Sequence, residues 1–322
     1  MKRLILAAAF FALGLTAASA QTYPSRPITI IVPFAAGGPT DVVGRAVAER
    51  MRASLGQPVL IENITGAGGS IGVARAVQAA PDGYTISMGN TGTHVASGAI
   101  YPLKFDLLTD LEPLALIATN PMVVVTKKGL AAKNLQELIA SLKTNPDQLS
   151  TGTAGVGSAS HLAAVYFASV SGTKLNFVPY RGTGPAMQDL VAGQIDMIID
   201  QTSNSINQIK AGSIKAYVVS EDKRLAGLPD VPSADEAGLP AFHVAVWNGF
   251  WLPKGTPKDV TSKLSGAVMD ALADTTVRKR LADLGLEIPL PAQQTPEALG
   301  KYHKAEIEKW WPIIKAANVK PE

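Results

Sequence analysis

Short apolar runs that end in glycine, serine or threonine, each followed by a helical pattern, recur along this chain and restrict its fold more than any other feature. Residues 28–34 (ITIIVPF) read as a buried strand, 40–55 as a helix and 59–64 as the next strand. A glycine-rich turn, a helix through residue 80 and a third strand over 84–89 complete the first unit. This alternation is the pattern of an α/β sheet covered by helices on both faces, with parallel strands expected. A second unit repeats it, with strands over 122–126, 148–152, 177–180, 197–200 and 214–219. Its helices fall at 135–144, 158–171 and 185–192. A proline-punctuated stretch then leads to an aromatic strand over 242–252 and to helices over 258–274, 276–284 and 296–317.

The first unit alone has few helices to cover both faces of its sheet. The C-terminal helices are therefore expected to pack back onto it, so that the chain crosses between lobes twice, near 118–122 and 244–250. Residues 21–120 with 247–322 then form one lobe and 121–246 the other. Two crossings make a hinge, and a hinged cleft is a device for closing on a ligand.

Met1-Lys2-Arg3, an apolar run over 4–15 and Ala18-Ser19-Ala20 together read as a signal peptide, residues 1–20, that is cleaved on export. The run is shorter than the roughly 20 residues needed to span a bilayer. Its removal leaves 27 basic against 26 acidic side chains, which gives no basic surface for nucleic acid. Cysteine is absent, so disulfides, thiolate catalysis and cysteine-ligated metals are excluded. The four histidines, His94, His161, His243 and His303, show no HxH or HExxH spacing, and no G-x-S-x-G elbow occurs. No catalytic residue, metal or cofactor is expected.

Ligands of open α/β sheets sit beyond the carboxyl ends of the strands, where the glycine-rich loops lie. The first such loop carries Phe34, Ala36, Gly37, Gly38 and Asp41 ahead of a helix. A helix N-terminus offers free N–H groups and partial positive charge to an anion, but Thr40 or Asp41 capping the helix would explain the same residues. The loop over 66–70 matches a dinucleotide fingerprint only loosely and reads as structural or as a support behind the site. Asn90 and Thr91 follow the third strand with side-chain donors. In the second unit Thr153, Gly155, Gly157, Ser158 and His161 repeat the anion-site pattern from the opposite lobe. Arg181 beside Gly182 reads either as a fork for a carboxylate or as a solvated charge. Asp200 ends a strand, where it accepts a hydrogen bond from ligand or fixes a loop. Trp247 and Phe250 near the second crossing read either as an aromatic wall of the cleft or as hinge packing.

The motifs, taken in order, resemble the substrate-binding proteins of tripartite tricarboxylate transporters, the Bug or TctC family. They are Tyr23-Pro24-Ser25-Arg26-Pro27-Ile28, then Pro33-Phe34, Gly37-Gly38 and Asp41, then Glu62-Asn63 with Gly66 and Gly68-Gly69. Pro81-Asp82-Gly83-Tyr84-Thr85, Gly155 with Gly157-Ser158 and His161-Leu162, Tyr180-Arg181-Gly182 and Gly193-Gln194-Ile195-Asp196 continue the series. Family members more often carry lysine where this chain has Arg181. The resemblance implies a two-lobed periplasmic-binding-protein fold of the Venus flytrap, type II-like kind. It implies a monomeric periplasmic receptor for a small di-, tri- or aromatic carboxylate, working with the membrane subunits of a transporter. The residue patterns alone also admit a receptor that presents its ligand to a membrane kinase, or an exported hydrolase.

Overall fold

The computed structural model describes residues 23–146, 148–316 and 318–321. The signal-peptide segment lies outside the described residues, and no helix among them is long and apolar enough to cross a membrane.

β1 (Ile28–Val32) lies between β2 (Val59–Asn63) and β3 (Thr85–Asn90), parallel to both, with α1 (Pro39–Leu55) and α2 (Ser70–Val77) as the crossovers. The sheet is mixed rather than parallel throughout. β9 (Ala245–Pro253) runs antiparallel to β3 and to β4 (Leu111–Lys127), and β4 continues as an antiparallel neighbour of β7 (Met197–Gln201) and β8 (Ile214–Val219). β5 (Ser150–Thr153) then joins β7 to β6 (Asn176–Pro179) in parallel. The second lobe is covered by α4 (Leu135–Thr144), α5 (Ala159–Ser171), α6 (Thr183–Val191) and α7 (Thr202–Lys210). The short α3 (Ser97–Ile100) follows a π-helical turn, Gly92–Ala96.

β4 is the strand that joins the lobes. Its first part, to Pro121, pairs with β9, and from Met122 it pairs with β7 and β8. The sequence reading found only the second part, because Pro113 and Pro121 interrupt the pattern; the structure accommodates register shifts at 113–115 and 116–118. Ser220 ties the two crossings together, accepting from Met122 N and donating to Val244 O. α7 was also illegible: its start, Thr-Ser-Asn-Ser, reads as a loop, yet Asn204 and Ser205 fold back onto Asp200 and set the first turn.

The C-terminal helices return to the first lobe. α8 (Lys258–Ala273) and α9 (Thr275–Asp283) join α1 over Ile30, Met88 and Phe250, all fully buried. α10 (Pro296–Ala316) covers the other face through Leu299 and Ile307, against Trp247 and Trp251. Between α10 and the sheet, His94 stacks on Trp251 at 3.9 Å between ring centroids, and His303 Nε2 donates to the His94 carbonyl. Gly89 makes room for the His94 ring, since a methyl there would lie 1.8 Å from Nδ1.

Burial depresses both histidines. It holds His94 well below its ordinary 6.5, with His303 acting in the same direction, and lowers His303 from 6.5 to about 4. Both are therefore neutral in the fold, whereas the unfolded chain takes up protons from about pH 6.5 downward. Folding stability should fall as pH drops from about 6.5 toward 4, with His303 alone contributing about 3 kcal/mol across that interval. Urea unfolding at pH 7, 6 and 5 checks this. The midpoint should drop with pH, and less steeply in His303→Gln, which keeps a donor for the His94 carbonyl.

Candidate functional site

The loop after β1 is fixed by Asp41. Asp41 Oδ2 accepts from Gly37 N (2.9 Å) and Arg45 Nε (2.8 Å), while Asn63 Nδ2 donates to Asp41 Oδ1 (3.0 Å) and to Phe34 O (2.9 Å). Burial works to raise the Asp41 carboxyl, but these bonds outweigh it and hold the pKa below the usual carboxylate range. Asp41 is thus a residue that shapes the loop. Gly37, at φ +80°, makes the turn, and it and Ala36 face solvent, whereas Gly38 is buried.

In the second lobe the loop after β5 holds itself in a similar way. Ser158 Oγ caps α5 by accepting from His161 N, Ser160 Oγ accepts from Ala154 N, and Thr153 Oγ1 accepts from Gly155 N. His161 Nδ1 accepts from Gly157 N, and its ring lies 4.8 Å from that of Phe177. Burial lowers its pKa to about 4, so it is a neutral acceptor inside the loop. Gly155 and Gly157 adopt φ of +94° and +77°, which a residue with a side chain rarely takes up.

The two loops meet. Ala35 N donates to Arg181 O across the cleft at 3.0 Å, and Tyr101 Oη donates to Val156 O at 2.8 Å. Three glycines allow backbone to lie on backbone. A methyl at Gly92 would sit 2.6 Å from Ala159 N, one at Gly184 would sit 3.0 Å from Gly38 N, and one at Gly68 would sit 2.4 Å from Val156 O. The loop over 66–70, which the sequence reads as structural or as a support behind the site, is part of the lobe-to-lobe contact. Gly184 was not singled out at all, and the signal for it, Gly182-Thr183-Gly184-Pro185, lay beside Arg181.

Behind these contacts is a narrow cavity of about 10 Å³, room for about one water molecule. Its walls come from the start of α1 (Pro39, Thr40), the start of α5 (Ser158, Ala159, Ser160), the first residue of α6 (Thr183) and Gln201, which precedes α7. Phe34, Asn90 and Ala154 complete it, and no charged side chain lines it among the described residues. Four helix N-termini, one from the first lobe and three from the second, thus converge on one narrow space. Each carries roughly half a positive charge. The arrangement of donors suits an anion.

Several sequence candidates sit elsewhere. Arg181 is exposed and lines an outer groove with Gly66, Gly68, Gly155 and Tyr180, while Gly182 packs against Ala35. Asp200 is fully buried outside the cavity lining. Its Oδ2 accepts from Asn204 Nδ2 (2.6 Å) and Ser205 Oγ (2.8 Å), which places it in the loop-fixing role. Burial raises its pKa to about 6 against those bonds, so unlike the histidines it favours the fold as pH falls from 6 toward 3.8. The Thr183 hydroxyl lies near enough to help hold that pKa down, yet makes no hydrogen bond of normal geometry. Thr91 is buried with an unpartnered hydroxyl. Trp247 packs against α10 with its indole N–H on Glu306 (3.0 Å), and Phe250 lies in the core under α1, so neither walls the cleft. A larger groove along Leu116, Thr119, Glu287 and Tyr302 is formed by the first lobe alone and meets the first turn of only one long helix, α10, at Ala298.

The glycine contacts exist only when the lobes are together, so they can be perturbed without touching either core. Gly92→Ala and Gly184→Ala should each keep the wild-type melting temperature within a few degrees. Each should weaken ligand binding by tenfold or more, a cost of about 1.4 kcal/mol on closure. Calorimetric titration alongside thermal melting checks both; unchanged affinity in both variants would contradict the assignment.

Residues 43–319 match the model of the tripartite tricarboxylate transporter family receptor. A protein of Agrobacterium vitis, described as a UPF0065 protein in the TAR-I ttuE-ttuC' intergenic region, is 43% identical over 299 residues, covering 92% of this chain and 86% of that protein. Among solved structures, the periplasmic binding protein BugD is 41% identical with a TM-score of 0.89, over 92% of this chain and 99% of that one. MatC from Rhodopseudomonas palustris, solved with bound malate, is 40% identical with a TM-score of 0.87, over 91% and 100% of the two chains. The two-lobed α/β architecture is that of the periplasmic binding proteins, and the chain belongs to the tripartite tricarboxylate transporter receptor family.

Proposed function

We propose that this chain is an extracytoplasmic receptor that closes around a small carboxylate and delivers it to the membrane subunits of a tripartite tricarboxylate-type uptake system. The observation that carries this reading is the convergence of four helix N-termini, from both lobes, on one narrow cavity lined by no charged side chain among the described residues. A carboxylate is the small anion that such groups grip through N–H and O–H donors, and closure removes competing water. The malate bound to MatC gives the same chemistry to a relative of this fold. Residues 1–20 supply the export segment, and the periplasmic designation of BugD agrees with that compartment.

Binding works by closure. The open lobes expose the helix ends to the acid, and the acid neutralises partial charges that would otherwise face one another when the lobes meet. Thr40, Ser158, Ser160 and Thr183 add hydroxyls to the cavity wall. The Thr183 hydroxyl is buried without a hydrogen bond of normal geometry within the protein, and a ligand oxygen would complete it.

A thermal-shift screen of carboxylic acids on protein stripped of bound ligand tests the reading. An acid that binds only the folded state at a hundred times its Kd should stabilise it by about 2.7 kcal/mol. Thr183→Val, which preserves shape, should lower affinity for that acid by about tenfold with little change in the ligand-free melting temperature. Failure of every acid in a broad library to shift the melting temperature would refute the carboxylate reading.

A further inference from the structure

Asn248 is a buried amide whose two polar atoms both lack a hydrogen-bond partner within the protein. An unmet pair of this kind is costly in a closed core, so its position is informative.

That position lies in the strand beneath the cavity, next to its wall but not part of its lining. Along β9, alternate residues share a face, and on the face of Asn248 the neighbours are Val246 and Phe250. Val246 belongs to the core of the second lobe and Phe250 to that of the first. Asn248 therefore lies where the two cores part. Directly opposite it in the β3–β9 register is Asn90, which lines the cavity and donates to Thr40 Oγ1 at the start of α1. On its other side the partner is Ala118, too small to fill the space or to hydrogen-bond through its side chain.

We propose that Asn248 reads a hydroxyl group on the bound acid, so that the receptor prefers hydroxy-substituted carboxylates over unsubstituted ones. The inference rests on the carboxylate reading above and adds a specificity to it. The chemistry follows from the amide. A carboxylate oxygen only accepts and would satisfy Nδ2 alone, while an ammonium only donates and would satisfy Oδ1 alone. A hydroxyl donates and accepts, and so answers both atoms. With the carboxylate held by the helix ends, Asn248 meets a substituent at the hinge end of the ligand.

The test is calorimetric titration of the full mature chain with two matched pairs, succinate with malate and glutarate with 2-hydroxyglutarate. In the wild type the hydroxy acid of the better-binding pair should bind about tenfold more tightly than its partner. In Asn248→Leu, which keeps the volume and removes the polar atoms, that preference should shrink to about threefold or less. The affinity for the unsubstituted acid should stay within about threefold of wild type. Thermal melting confirms the fold, and Asn248→Ala, which only deletes atoms, repeats the comparison if leucine is not accommodated. A wild type that binds both members equally, or a preference that survives both substitutions, overturns the assignment of Asn248 while leaving carboxylate binding intact. Binding of no acid from either pair or from the wider library overturns both.

Discussion

Where the lobes touch, peptide groups lie on peptide groups: Gly92 against the Ser158–Ala159 link, Gly184 against Gly37–Gly38, and Gly68 against the Val156 carbonyl. The rest of the site depends on that approach. Side chains between the lobes would hold the helix ends apart and leave the cavity open to water. With glycine at the seam, the start of α1 comes within reach of the starts of α5 and α6, and the space between them shrinks to room for about one water molecule. The loops that make the seam must also be stiff, since a yielding loop would close without defining a cavity. Asp41 with Arg45 and Asn63 stiffens one side, and Ser158, Ser160 and His161 stiffen the other.

The same geometry explains how an anion can be held without a cationic side chain at its surface. Burying an ion pair costs desolvation of both partners. Helix N-termini are already fixed by the fold and present their donors with no side-chain entropy to lose. A receptor that must release what it captures gains from this, because opening the lobes exposes the anion to water at once. Arg181, at the outer groove, sits where a positive charge can attract an approaching acid without being buried with it.

Much of this was written in the sequence. The strand–loop–helix units, both glycine-rich loops and the return of the C-terminal helices to the first lobe all follow from apolar periodicity and turn chemistry, and the ordered motifs pointed to the family. What was not legible depended on contacts between distant segments. Nothing local marks residues 111–121 as the strand that pairs with β9, because Pro113 and Pro121 look like interruptions until the bulges are seen. Trp247 reads equally as a cleft wall or as hinge packing, and strand alternation turns it toward α10 and puts Asn248 on the opposite face, across from Asn90. Gly92 and Gly184 are ordinary turn residues in sequence, and their value lies in the backbone each one meets from the other lobe.

The central claim is that the acid is enclosed by lobes that come together at these glycines, and a distance across the cleft tests it most directly. The chain has no cysteine of its own, so Ile71→Cys on the first lobe and Val191→Cys on the second, both at exposed sites, accept spin labels without background. Electron–electron resonance should give a longer and broader distance distribution in stripped protein. It should shorten to a single narrow population when the bound acid is added, and shorten less in Gly92→Ala. A distribution that stays the same with and without an acid known to bind would contradict the account.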